Sequence, residues 1–129
     1  MNGRYLLDTS VLIALYANDR SVLGRLARNP EVYVSSIVLG ELYYGAYHSS
    51  HPASNIRRVD ELADRAFILS CDTESARHYG RVKNSLRSRG RTLPENDIWI
   101  AAVCQQHGLT LVTRDRHFQE VPELSLDEW

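Results

Sequence analysis

The chain has 129 residues, the size of one domain, and a chain of this length buries about two-thirds of the surface its unfolded form exposes. Its 15 Lys and Arg balance 16 Asp and Glu to a net charge of −1, so no global positive field marks a nucleic-acid binder and any basic footprint must be local. Cys71 and Cys104 lack the paired spacing of a zinc site or disulfide framework and are expected to be reduced core residues. No stretch reaches the roughly 18 apolar residues of a membrane span, and a soluble, cytoplasmic protein is expected.

Tyr5 to Leu7 read as a short apolar strand, and Val11 to Tyr16 open a helix, with Thr9 or Ser10 as its N-cap. Asp8 interrupts this apolar run, which argues against a signal peptide. It falls at the carboxyl end of a strand, where open α/β sheets bind their ligands. Asp19 and Ser21 can cap a second helix that runs through Leu23 and Leu26 and stops before Pro30. Val32 to Val34 form a β-prone run, and Ser35 or Ser36 caps a helix from about Ile37 to Tyr47. Ile37, Val38, Leu42 and Gly45 then share one face, with Glu41 on or beside it.

His48 and His51, beside Pro52, make a poor zinc site and read as a loop or helix terminus. Pro52 suits the first turn of another helix, with Ile56, Val59, Leu62 and Ala66 inward. Phe67 to Leu69 form a strand candidate. Asp72 or Thr73 caps a long helix to about Arg89, with Ala76, Tyr79, Val82 and Leu86 inward and Gly90 as its C-terminal stop. This segment holds a local basic cluster, in which Arg77, Arg81 and Arg87 recur on one side and can track nucleic-acid phosphates or simply face solvent. Pro94 begins a helix that carries Asp97 in its first turn and closes at His107-Gly108. Leu109 to Val112 form a strand, Asp115 lies just past its carboxyl end, and Glu123 to Leu126 can add an edge strand. Strands alternating with helices predict a three-layer α/β/α fold around a central, mainly parallel sheet.

Each acid has an ordinary explanation alone: Asp8 as a cap, Glu41 as a solvated helix residue, Asp97 as a helix-start acid, Asp115 as a turn residue. Together, two acids at strand ends, one on an apolar helix face and one at a helix start can converge above the sheet. Such a cluster repels itself unless a cation joins it. Hard oxygen ligands with no His or Cys point to Mg²⁺ or Mn²⁺ rather than zinc, and those ions serve phosphoryl chemistry.

The set Leu7-Asp-Thr-Ser-Val11, Leu39-Gly-Glu-Leu42 followed by Tyr44-Gly45, Asn96-Asp-Ile-Trp-Ile-Ala-Ala102 and Leu111-Val-Thr-Arg-Asp115 resembles the PIN-domain ribonucleases, and within them the VapC toxins of toxin–antitoxin pairs. The resemblance covers essentially the whole chain and implies a single PIN domain over residues 1–129. It implies that Asp8, Glu41 and Asp97 are the principal metal-binding and catalytic acids and Asp115 a less uniform fourth. Thr9, Ser10 and Thr113 match supporting hydroxyls, and Asn96 reads as a helix cap. The implied activity is Mg²⁺- or Mn²⁺-dependent hydrolysis of RNA, tRNA or ribosomal RNA, by metal-activated water, leaving a 5′-phosphate and a 3′-hydroxyl.

The implied partners are a VapB-like antitoxin lying across the acidic cleft and a second copy of the chain in a homodimer, with operator DNA reached only through the antitoxin. Tyr43, Tyr44 and Tyr47 are read as interface aromatics. Two other readings stand beside this one: a housekeeping RNA-processing nuclease, and a non-catalytic acidic module that binds a basic peptide. A haloacid-type phosphatase fits less well, because Ser10 stands where that family has a second Asp.

Overall fold

The computed structural model describes residues 3–129. The elements run β1 (Arg4–Leu7), α1 (Thr9–Tyr16), α2 (Arg20–Leu26), β2 (Glu31–Ser35), α3 (Ser36–Tyr47), α4 (Pro52–Arg65), β3 (Phe67–Leu69), α5 (Thr73–Ser88), α6 (Glu95–Gln106), β4 (Thr110–Val112), a 3₁₀ turn (Arg116–Glu120) and β5 (Leu126–Asp127). All strand pairs are parallel, in the order β3-β2-β1-β4-β5, and the helices complete a three-layer α/β/α sandwich. Parallel pairing forces each connection to cross over, and the helices are those crossovers.

The centre of the sheet carries the core. Leu6, Val34, Leu111 and Val112 are fully buried between Val11, Leu12 and Val38 on the first helices and Leu86, Ile100, Val103 and Phe118 from the later chain. Truncating one of these large side chains to Ala costs about 2–5 kcal/mol, which fixes the strand ends that the site depends on.

Several local expectations hold because short-range hydrogen bonds decide them. The Asp19 carboxylate accepts from the Ser21 and Val22 N–H groups at 3.0 and 3.2 Å. Ser35 Oγ accepts from Val38 N–H at 3.1 Å. Asp72 and Ser75 form a reciprocal capping box, and Gly90 ends α5 with φ at +67°, where glycine has no Cβ to clash.

Other expectations are corrected. The N-cap position of α1 is Asp8, not Thr9 or Ser10, which lie inside the helix. The buried face of α3 is Val38, Leu42 and Ala46, while Gly45 is exposed. On α5 the buried residue in the first turn is Ser75 rather than Ala76, because Ser75 is satisfied by Asp72 and by Gln106 of α6. Cys71 is exposed, and only Cys104 is a core thiol, where burial pushes its pKa up to about 12. The last strand begins at Leu126, where the expected tail segment ends, and pairs with β4 through Leu111↔Leu126 and Val112↔Asp127.

Candidate active site

The strand order reverses between β1 and β4, because the chain leaves β1 toward β2 and returns to its other side only at β4. The crevice outside the strand ends at such a reversal is the usual ligand site of an open α/β sheet. Asp8 follows β1 and Asp115 follows β4, so both flank this crevice. Helices α3 and α6 bring Glu41 and Asp97 to it.

Asp8 is 6 % exposed. Although its backbone occupies the cap position of α1, its carboxylate does not cap the helix. Instead Asp8 Oδ2 accepts from Thr113 Oγ1 at 2.7 Å and from Ser10 Oγ at 3.2 Å. The same two hydroxyls accept from the backbone of the β4 exit, Thr113 Oγ1 from Asp115 N–H at 3.0 Å and Ser10 Oγ from Arg114 N–H at 3.1 Å. Ser10 and Thr113 therefore lace the two strand ends together around one carboxylate. Burial raises the Asp8 pKa above the ordinary carboxylate value, against the lowering effect of the Thr113, Thr9 and Ser10 contacts, and the Glu41 charge adds to the rise.

Glu41 is held from both sides. Thr9 Oγ1 donates to Glu41 Oε1 at 2.6 Å, and Asn96 Nδ2 donates to Glu41 Oε2 at 3.4 Å. Asn96 was expected to be a helix cap, but Pro94 holds the cap position and the Asn96 amide reaches across to α3. No local signal in the sequence connects Asn96 with a residue 55 positions earlier.

Asp97 has its pKa raised to about 6, first by burial and then by the charges of Asp8, Asp115 and Glu41, with His117 opposing. This coupling is the electrostatic signature of four acids sharing one cleft. Asp115 Oδ1 accepts from the His117 N–H at 2.9 Å, and His117 Nδ1 lies 3.0 Å from the same oxygen. His117 went unmarked in the sequence because it lies in a 3₁₀ turn whose position depends on the β4 exit.

Among the described residues, no three of His, Cys, Asp or Glu are clustered tightly enough to mark a metal site by distance alone. The donor set is nonetheless suited to a hard divalent cation: carboxylate and hydroxyl oxygens only, in mutual repulsion that a cation relieves. A divalent ion is also what the resemblance to the PIN-domain ribonucleases implies.

The three arginines marked on α5 are not equivalent. Lys83 pairs with Glu95 at 3.1 Å at the start of α6, whereas Ser75 bonds Gln106 at its end, so α5 and α6 run antiparallel. Arg87 thus lies toward the cleft end, Arg77 toward the far end in an ion pair with Glu74 at 3.1 Å, and Arg81 between them beside a separate cavity.

An open α/β sheet with four acids at its topological reversal is the architecture of a PIN-type nuclease, and the PIN domain family model matches residues 5–124. The chain is 36 % identical to ribonuclease VapC2 of Haemophilus influenzae, with 98 % of each chain covered. It is 32 % identical to the tRNA(fMet)-specific endonuclease VapC of Shigella flexneri, again over 98 % of each. The structure of VapBC2 from Rickettsia felis bound to a promoter DNA fragment superposes with a TM-score of 0.87 at 31 % identity, covering 97 % of this chain and 98 % of that one. The chain therefore belongs to the VapC ribonucleases of the PIN-domain family.

Proposed function

We propose that this protein is the ribonuclease toxin of a toxin–antitoxin pair, a cytoplasmic single PIN domain over residues 1–129 that hydrolyses phosphodiester bonds of tRNA or ribosomal RNA and so slows translation. The observation that carries this reading is that Asp8 and Asp115 follow the two strands at which the sheet order reverses, with Asp8 bonded to Thr113 and Glu41 tied to Thr9 and Asn96 beside Asp97, in line with the raised pKa of Asp97. Asp8, Glu41, Asp97 and Asp115 are the residues that would hold Mg²⁺, with Mn²⁺ able to substitute. When bound, such an ion neutralises the scissile phosphate, activates water and stabilises the leaving oxygen.

The chain's own side chains prepare that chemistry. Thr113 and Ser10 hold the Asp8 carboxylate through Oδ2, which orients it at the end of β1. Thr9 and Asn96 fix the two oxygens of Glu41 against its neighbours' repulsion. A carboxylate near pH 6, Asp97, exchanges a proton for a cation at little cost under physiological conditions.

A groove of about 270 Å³ adjoins Glu41 and is walled by Ile13, Leu42, Ala46 and Val59. Ile13, Tyr44 and Tyr47 are 57 %, 68 % and 67 % exposed, an apolar surface of the kind that proteins cover with a partner. This supports docking of a VapB-like antitoxin beside the acids, with an antitoxin Arg or Lys in place of the cation. We assign a homodimer, with operator DNA reached only through the antitoxin.

The test uses the protein freed of antitoxin. It should cut RNA with Mg²⁺ or Mn²⁺ and stop with EDTA or in Asp8→Asn, and mapping the cut ends should identify the RNA. Unchanged cleavage in both Asp8→Asn and Asp97→Asn would refute the mechanism. A housekeeping nuclease is distinguished by growth: expression should arrest it, and a cognate small gene should restore it.

A further inference from the structure

We infer that Arg114 is a positioning residue for the hydrolysis: it holds the loop between β4 and the 3₁₀ turn, and with it Thr113 and Asp115, by fastening that loop to Asp19 and Trp129. The inference rests on the reading of the four acids as a metal-dependent nuclease site. Residues 113–115 belong to no strand or helix. They nonetheless carry two of the groups on which the site depends, because Thr113 donates to Asp8 and Asp115 is itself one of the acids. Among the described residues, the backbone bonds of the sheet end at Thr113, whose N–H donates to Asp127 O at 3.1 Å. Beyond that point the segment keeps one geometry only if side chains fix it.

Arg114 is that fastening. Its backbone N–H donates to Ser10 Oγ at 3.1 Å, and Ser10 Oγ in turn donates to Asp8 Oδ2. Its side chain runs on to two acceptors: Nε donates to the main-chain oxygen of Trp129 at 3.0 Å, and Nη2 pairs with Asp19 Oδ1 at 3.0 Å. Both acceptors are themselves held. Trp129 is 5 % exposed and stands edge-on to Tyr5 of β1, with ring centroids 5.2 Å apart. The same Asp19 oxygen accepts from the Ser21 and Val22 N–H groups at the start of α2. A guanidinium suits this task, since its planar fork aims donors at two separate groups at once.

The pairing also decides where a positive charge goes. Arg114 lies between Thr113 and Asp115 in sequence, yet among the described residues its ion pair is with Asp19 and not with a site acid. The Asp19 carboxyl is held below the ordinary carboxylate range, first by the Val22 N–H and then by Arg114, so it stays charged and keeps the guanidinium. Without that partner the arginine is free to turn onto a site acid and compete with the cation. Asp19 therefore does two things: it caps α2, and it keeps the acids of the cleft available.

The experiment uses the full chain without antitoxin. Amide hydrogen exchange in EDTA reads the fastening with no metal present: in Arg114→Ala the Asp115 N–H, bonded to Thr113 Oγ1, should exchange about tenfold or more faster, while the amides of β1 keep their rates. Titration with Mn²⁺ should then show affinity about 10–100-fold weaker, and initial rates a similar fall in kcat with KM for RNA within about twofold. Lys83→Ala breaks an ion pair of 3.1 Å outside the cleft and should change none of the three. Asp19→Ser keeps a hydroxyl to cap α2 and removes the charge, so it carries the test if Arg114→Ala fails to fold. It should weaken Mn²⁺ binding by about tenfold, and the double variant should be no worse than Arg114→Ala alone, because both act through one contact. Unchanged Asp115 exchange and Mn²⁺ affinity in both single variants, or losses that simply add in the double, overturn the inference. A raised KM with metal affinity intact makes Arg114 an RNA contact and overturns it equally. Parent protein that cuts RNA undiminished in EDTA would remove the metal reading instead, while the exchange rates still decide whether Arg114 holds the loop.

Discussion

Glu95 and Asp97 are two residues apart at the start of α6, and the fold treats them in opposite ways. Residues i and i+2 of a helix do not share a face, so one looks toward α5 and the other into the cleft. Glu95 accepts from Tyr79 Oη and pairs with Lys83 Nζ at 3.1 Å, which lowers its pKa. Asp97 meets Asp8, Asp115 and Glu41 instead, with burial, and its pKa rises to about 6. Folding gives a cation to the first acid and withholds one from the second. The withheld charge marks function, because a site left electrostatically unfavourable persists only where something outside the chain completes it.

The sharpest way to break this contrast is to neutralise each acid. Asp97→Asn should lower RNA cleavage by more than about 100-fold, since loss of an outer-shell partner alone costs about 10–100-fold at metal sites. Glu95→Gln should leave cleavage within about twofold, because its partners lie on the other side of the helix. Equal losses in the two variants would show that the helix start, not the cleft, is what matters.

Next in size is the support of Glu41. Asn96→Ala and Thr9→Val should each lower metal affinity or cleavage by about 10–100-fold, measured by Mn²⁺ titration and by initial rates. Metal affinity unchanged in both would remove Glu41 from the site.

The pH dependence separates the two acids more finely. A raised pKa means that Asp97 contributes stability fully present below its ordinary value of 3.8 and lost as pH rises through about 6. Without metal, Asp97→Asn should therefore match the parent in thermal midpoint near about pH 4 and exceed it near about pH 8. The lowered Glu95 pKa has the reverse sign, so Glu95→Gln should lose stability at neutral pH and regain parity in acid. Saturating Mg²⁺ should erase the advantage of Asp97→Asn, and an advantage that persists would argue against metal at this carboxylate. The smallest effect belongs to a charge that is simply paired at the surface: Arg91, 3.1 Å from Glu120, should cost below about 1 kcal/mol when replaced by Ala.

The parts of the fold that could be read in advance were those set by neighbours in sequence. Asp19, Ser35 and Asp72 cap helices through N–H groups two or three residues on, and Gly90 ends α5 by its own conformational freedom. Misreadings arose where a distant segment intervened. Ser75 is buried because Gln106 bonds it, Asn96 turns from its own helix to Glu41, and Cys71 lies exposed in the turn between β3 and α5. The edge strand lies at Leu126–Asp127 because its partner β4 fixes its register.

The amino-acid sequence by itself determined the alternation of strand and helix, the position of Asp8, Asp97 and Asp115 at the ends of elements and that of Glu41 along a helix, because period and capping act within a few residues. Only the tertiary structure decided that Asp8, Glu41, Asp97 and Asp115 repel one another across one crevice while Glu95 is neutralised. Coulomb interactions depend on distance in space, and the packing of α3 and α6 onto the point where the sheet reverses sets that distance.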